Sequence, residues 1–157
     1  HLDNVKFCTV EGGKKIIKQV KFLIKNKISV MGHLGLLPQT ATGKFKSKGK
    51  TSKEIKQLLK DAKLLQNSGV FSIVLECIKT PVAKKITQQL RIPTIGIGSS
   101  VHCDGQVLVT DDLIGLNETN VKFVKKFLNL KRYINLGIRR FASEVKSKRY
   151  PTKKYSY

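Results

Sequence analysis

Apolar positions along this chain switch repeatedly between two periods. Short unbroken runs read as buried strands, and runs spaced three and four apart read as helix faces. Val5–Val10 (VKFCTV) predicts a strand that ends in Glu11-Gly12-Gly13. From Lys14 to Lys27, apolar residues at Ile16, Val20, Leu23 and Ile24 face one way, with lysines opposite, which predicts a helix. Ile28–Gly32 predicts the next strand, broken at Gly32 so that His33 stands at its end, followed by a long loop to Lys50. Thr51-Ser52-Lys53-Glu54 has the form of a capping box. It opens a helix with Ile55, Leu58, Leu59, Ala62 and Leu65 on one face, closing at Asn67-Ser68-Gly69.

The alternation continues. Val70–Leu75 (VFSIVL) predicts a third strand with Glu76 at its end. Thr80-Pro81 starts a helix that runs to about Arg91. Pro93–Gly98 predicts a fourth strand, Ser99–Gly105 a loop, and Gln106–Val109 a short extension or hairpin arm. Two more helices are expected, over Val121–Leu130 and Lys131–Lys148. Four strand–helix units in succession imply an α/β fold with parallel strands and right-handed crossovers. Four is half of an eight-unit barrel, so the expectation is about half of a (βα)8 barrel of the TIM type, with C-terminal helices added.

In a parallel sheet all carboxyl ends lie at one edge, which is where ligands bind. Glu11, His33, Glu76 and the turn Gly98-Ser99-Ser100 are therefore expected around one mouth. Each has a plainer reading. His33 could cap its strand through a backbone bond, and each glutamate could pair with one of many lysines. A carboxylate at the end of an apolar strand is costly unless paired, protonated or metal-bound. Two such carboxylates beside a histidine, from three strand ends, favour a site. One holding a divalent ion and one taking a proton would suit enolisation next to a carbonyl.

Composition narrows the class. The chain has 157 residues, 40% hydrophobic, enough for a core and suggesting one domain over residues 1–157. No run approaches a membrane span, and HLDNVKF is no signal peptide. His1 is not an initiator methionine and strand-like sequence begins at once, so a piece of a longer protein is expected. Three cysteines without a CxxC pair fit thiols in a reducing, cytoplasmic setting. His102-Cys103-Asp104 is not a metal site, because adjacent residues of an extended chain cannot all face one ion. A net charge of +21 raises a nucleic-acid or anion-binding module as an alternative. Lysines are spread over every predicted helix, arginine and aromatics are few, and no nucleic-acid motif is present, so nucleic acid is not the expected partner.

Several segments carry a resemblance. VEGG (Val10–Gly13), MGHLGLLPQT (Met31–Thr40), GKFKSKGKT (Gly43–Thr51), IVLEC (Ile73–Cys77), IPTIGIG (Ile92–Gly98) and DGQVLVTDDLIGL (Asp104–Leu116) resemble the ketopantoate hydroxymethyltransferase family, in order and over nearly the whole chain. The resemblance implies a TIM barrel that transfers a one-carbon unit from methylenetetrahydrofolate to 3-methyl-2-oxobutanoate. The product is 2-dehydropantoate, on the way to pantothenate and coenzyme A. It assigns Glu76 as proton acceptor, Glu11 to the coordination sphere of Mg²⁺, and His33 to the substrate. Thr9 stands where the family has a substrate-contacting lysine, and Ser99-Ser100 where it has Ala-Gly; both Thr9 and Ser99 are expected to contact substrate. Asp111 replaces the usual histidine. The family's other metal-binding aspartates lie on strands preceding this segment, so the chain alone is expected to be inactive. The keto acid and the folate are the implied partners, and a homo-oligomer the implied assembly. A related Mg²⁺-dependent barrel acting on α-keto acids is the neighbouring alternative.

Overall fold

The computed structural model describes residues 5–38, 46–118 and 120–157. The end of the PQT segment after Pro38 and the start of the lysine-rich run Gly43–Lys50 lie outside the described residues. The chain forms two compact units, His1–Val107 and Leu108–Tyr157.

The first unit is a five-stranded sheet in the order β1 (Phe7–Glu11), β2 (Ser29–Gly35), β3 (Ser72–Glu76), β4 (Thr94–Ile97) and β5 (Gly105–Gln106), with every pair parallel. Helices α1 (Ile17–Lys25), α2 (Ser52–Asn67) and α3 (Thr80–Gln89) supply the crossovers. Their apolar faces meet one side of the sheet in a core around Val20, Leu65, Ile73, Leu75 and Ile86, all at most 1% exposed. Each such side chain contributes about 1.5–3 kcal/mol by leaving water. The capping box holds: Thr51 Oγ1 accepts from the Glu54 N–H, while the Glu54 carboxylate accepts from Lys50 N–H, one residue before the cap. Among the described residues no helix is long and apolar enough to cross a membrane.

The structure corrects four expectations. Gly32 does not end its strand: β2 runs on to Gly35, and His33 pairs in register with Val74. The glycine is there for packing, since a Cβ on it would lie 3.0 Å from Leu65 Cδ1 on α2. The helix expected over Lys14–Lys27 begins as a 3₁₀ turn, Lys14–Ile16, and α1 ends at Lys25. The extension near Gln106 is a fifth parallel strand rather than a hairpin arm. Its register is fixed partly by Asp104, whose carboxylate accepts from the backbone N–H and hydroxyl of Thr94 at 2.8 and 3.0 Å.

The fourth correction falls in the second unit. Of the helix expected over Val121–Leu130, residues Val121–Asn129 are not helical, because backbone donors there go elsewhere: Phe127 and Leu128 N–H both reach Leu113 C=O, and Leu130 N–H, at the start of the next helix, reaches Ile114 C=O. Those carbonyls close the short helix α4 (Thr110–Leu113), which the sequence pattern did not show. Helix α5 (Leu130–Lys146) starts where Asn129 caps Arg132 N–H, and its tail folds back so that Tyr150 meets Phe141 edge-on at 5.4 Å.

Candidate active site

Successive residues of a strand point to opposite faces. In β1 to β4, Cys8, Val10, Val30, Leu34, Ile73, Leu75 and Thr94 therefore take the helix side. Thr9, Glu11, Met31, His33, Val74, Glu76, Ile95 and Ile97 take the other. Register sets their levels. Glu11 pairs with His33, His33 with Val74, and Glu76 sits one step higher, opposite Gly35 and Ile97. The resulting diagonal brings His33 Nε2 to 3.1 Å from Glu76 Oε2, with both residues under 10% exposed. That is an ion-pair distance, without the alignment of a linear hydrogen bond.

Burial raises the Glu76 pKa above its ordinary value, the His33 charge opposes this, and the Glu11 carboxylate adds to the rise. Glu11 thus lies within electrostatic reach of Glu76 as well as beside His33. Three groups far apart in sequence share one end of the sheet.

The corner that presents Glu76 is tightly built. Cys77 takes a left-handed conformation, φ +52°, which costs a residue with a Cβ on the order of 1 kcal/mol or more. Its N–H is bonded to Ile97 C=O and its C=O accepts from Lys48 N–H, each at 2.8 Å. Burial first, and then the Glu76 charge, push the Cys77 thiol up in pKa, so it is a poor nucleophile. Ser99 spans the same corner. Its hydroxyl donates to Leu75 C=O at 2.6 Å and accepts from Ile78 N–H at 3.0 Å, one on each side of Glu76-Cys77. On the opposite flank Gly35, φ +104°, lets Leu36 N–H reach Glu76 C=O at 2.9 Å.

The other expected site residues sort by position. Thr9 is exposed, on the same face as Glu11 and two residues before it. Ser99 has its hydroxyl committed to backbone partners. Asp111 is exposed on α4 in the second unit. Among the described residues, no group of three or more His, Cys, Asp or Glu side chains is arranged to hold a metal ion. Mg²⁺ needs less from a protein, often one or two carboxylates with substrate oxygens and water completing six ligands. Glu11, a hard oxygen donor at the sheet's carboxyl edge, fits as a single contribution of that kind.

One residue of the site's surroundings escaped the sequence reading. Asp61 lies on α2, buried, and its Oδ1 accepts from Lys14 N–H and from Gln57 Nε2, each at 2.9 Å. The readable signal was its place in the apolar stripe, three residues after Leu58 and four before Leu65.

The chain is 59% identical over 148 residues to the 3-methyl-2-oxobutanoate hydroxymethyltransferase of Pelagibacter ubique, covering 94% of this chain and 57% of that protein. It is 46% identical over 148 residues to the enzyme of the same name from Ignicoccus hospitalis, covering 93% and 56%. Against that of Clostridium botulinum strain 657 it is 42% identical over 151 residues, covering 94% and 55%. The chain therefore spans about half the length of the curated relatives it matches. Its parallel strands with helices on one face make up part of a TIM barrel. A model of the ketopantoate hydroxymethyltransferase family matches residues 2–153, and the chain belongs to that family.

Proposed function

We propose that this chain forms the part of a 3-methyl-2-oxobutanoate hydroxymethyltransferase that removes the substrate's C3 proton. The observation that carries the reading is the buried contact of His33 Nε2 with Glu76 Oε2 at 3.1 Å, beside Glu11. A general base must be unprotonated yet basic enough to accept a proton. Burial makes Glu76 more basic, and the imidazole beside it keeps the carboxylate form accessible. Glu76 takes the proton from C3 of the bound keto acid. The imidazole of His33, in contact with that carboxylate, orients it and faces the same space.

Glu11 would hold Mg²⁺ together with the keto acid's oxygens, and a divalent ion there supplies positive charge for a developing enolate. Thr9, exposed on the same face, is placed to hydrogen-bond substrate. Ser99 acts on Glu76 from behind, through the backbone it holds, rather than by touching substrate. Methylenetetrahydrofolate is the proposed one-carbon donor. A homo-oligomer is supported by α5, where Ile134, Ile138, Phe141 and Val145 leave an apolar stripe exposed.

The test is deuterium exchange at C3 of 3-methyl-2-oxobutanoate, followed by proton NMR in the form of the protein that carries activity. Glu76→Gln is expected to lower the exchange rate by at least about a hundredfold. Exchange at the unaltered rate in that variant overturns the assignment of Glu76 as base.

A further inference from the structure

The turn after Glu11 is held at two points. On one side, Gly12 N–H donates to His33 C=O at 3.0 Å and continues the ladder between β1 and β2. On the other, Lys14 N–H donates to the Asp61 carboxylate at 2.9 Å, although the two residues are 47 positions apart. The contact at Gly13 is closer still. A Cβ on Gly13 would fall 2.1 Å from Asp61 Cγ and 2.2 Å from Oδ2. Glycine is required at that position by the carboxylate packed against it. Gln57, one helical turn before Asp61, donates Nε2 to the same Oδ1 and fixes which way the carboxylate points.

A buried carboxylate on the apolar stripe of a helix is costly, and hydrogen bonds of this kind offset the cost. Capping α1 would need only an acceptor supplied locally. Here the acceptor comes instead from the helix packed behind β2 and β3, so the end of β1 is tied to the elements that carry His33 and Glu76. We propose that Asp61 is a positioning residue for Glu11. It fixes the Gly12-Gly13 turn, and so the direction of the Glu11 carboxylate, relative to His33. The proposal rests on the metal-holding role given to Glu11 only for its consequence, not for its geometry.

Two measurements test it. Amide hydrogen exchange on this chain reads the turn directly. In Asp61→Ala, exchange at Gly12 is expected to speed by about tenfold or more, the size of one lost charge-assisted hydrogen bond. Amides of β3 should keep their rates, whereas general destabilisation would move all of them together. Asp61→Asn, which keeps an oxygen acceptor, should restore Gly12 protection. Should Asp61→Ala not fold, Gly13→Ala decides, since its Cβ displaces the carboxylate and should expose the Gly12 amide in the same way. Unchanged Gly12 exchange, or acceleration shared equally with β3, overturns the proposal.

The second measurement is Mn²⁺ binding by electron paramagnetic resonance with the keto acid present, made in the form of the protein that carries activity, with the remaining strands of the barrel in place. Where the unaltered protein binds, Asp61→Ala is expected to weaken binding about tenfold and Asp61→Asn to leave it nearly intact. Equal affinity in Asp61→Ala overturns the positioning role. An unaltered protein that binds no Mn²⁺ refutes the metal reading of Glu11 instead, and the exchange data then decide on Asp61 alone.

Discussion

Gly35→Ala should be among the most damaging single changes in the first unit, for three separable reasons. Gly35 has φ +104°, where a residue with a Cβ is strained by about 1–3 kcal/mol. The added carbon would lie 2.0 Å from the backbone oxygen of Glu76 and 2.8 Å from Ile78 Cγ1. Relieving that overlap costs about 1–3 kcal/mol. The strands can separate only by stretching the 2.9 Å bond from Leu36 N–H to that same oxygen, worth roughly another 1 kcal/mol. The sum is roughly 3–7 kcal/mol, a large share of the 5–15 kcal/mol typical of a domain. With an m-value of about 2 kcal/mol/M, the urea midpoint should fall by roughly 1.5–3.5 M. Gly137 is the control, since a Cβ there meets nothing within 4 Å and the residue lies inside the exposed α5. Gly137→Ala should stabilise that helix by about 0.5–1 kcal/mol, read as slower amide exchange. A Gly35→Ala midpoint within about 0.3 M of the unaltered chain would refute the reasoning.

Ser99→Ala leaves Leu75 C=O and Ile78 N–H without their side-chain partner and should cost about 1–3 kcal/mol in urea denaturation, most of it regained in Ser99→Thr. Because burial raises the Glu76 pKa above 4.5, the folded chain holds that proton more tightly than the unfolded one. The linked stability is full below the ordinary value and is lost as pH rises through the raised one, a fall in midpoint that Glu76→Gln should remove. His33→Ala deletes the charge that opposes the shift, so the Glu76 carboxyl should titrate higher still by ¹³C NMR. Cys77, buried and raised in pKa, should react with iodoacetamide more slowly than free cysteine at pH 8, and equal rates would contradict its placement.

The alternation of strand and helix was legible because each strand is an apolar run and each helix an amphipathic stripe. So was the convergence of Glu11, His33 and Glu76, since parallel strands put their carboxyl ends at one edge. The resemblance of the EGG, HLG and VLEC segments added roles to those residues, which pattern alone could not supply. What the sequence hid was tertiary in origin. Gly32 reads locally as a breaker, and only Leu65 pressing on it shows why a strand tolerates it. Asp61 looks like an ordinary polar residue of a lysine-rich helix until Gly13 and Lys14 are brought to it. Ser99 looks free at a turn, yet its hydroxyl is used between strands. The segment Val121–Leu130 has helical periodicity, but the end of α4 takes its donors.

Residues alternate between two jobs along each strand, and this separation makes the site testable. Positions facing the helices, such as Val30, Leu34, Ile73 and Leu75, are buried in the core, and trimming them should act on stability first. Positions facing away hold Glu11, His33 and Glu76, together with Met31, Ile95 and Ile97, which the helices do not cover. Parallel sheets are rarely left with one face open, because both sides of their strands are apolar. In relatives of which this chain spans about half the length, the remaining strands of the same barrel would offer the cover, closing around that face. The burial that raises the Glu76 pKa already exists in this unit, so the proposed base does not depend on closure. Closure would instead complete the ligands around Glu11 and exclude water from the keto acid. Proton removal and metal binding should therefore fail separately. Loss of the complementary strands should abolish metal affinity while leaving the contact of His33 with Glu76 and the raised Glu76 pKa in place, and a chain whose Glu76 titrates at the ordinary carboxylate value would show that the site depends on the rest of the barrel after all.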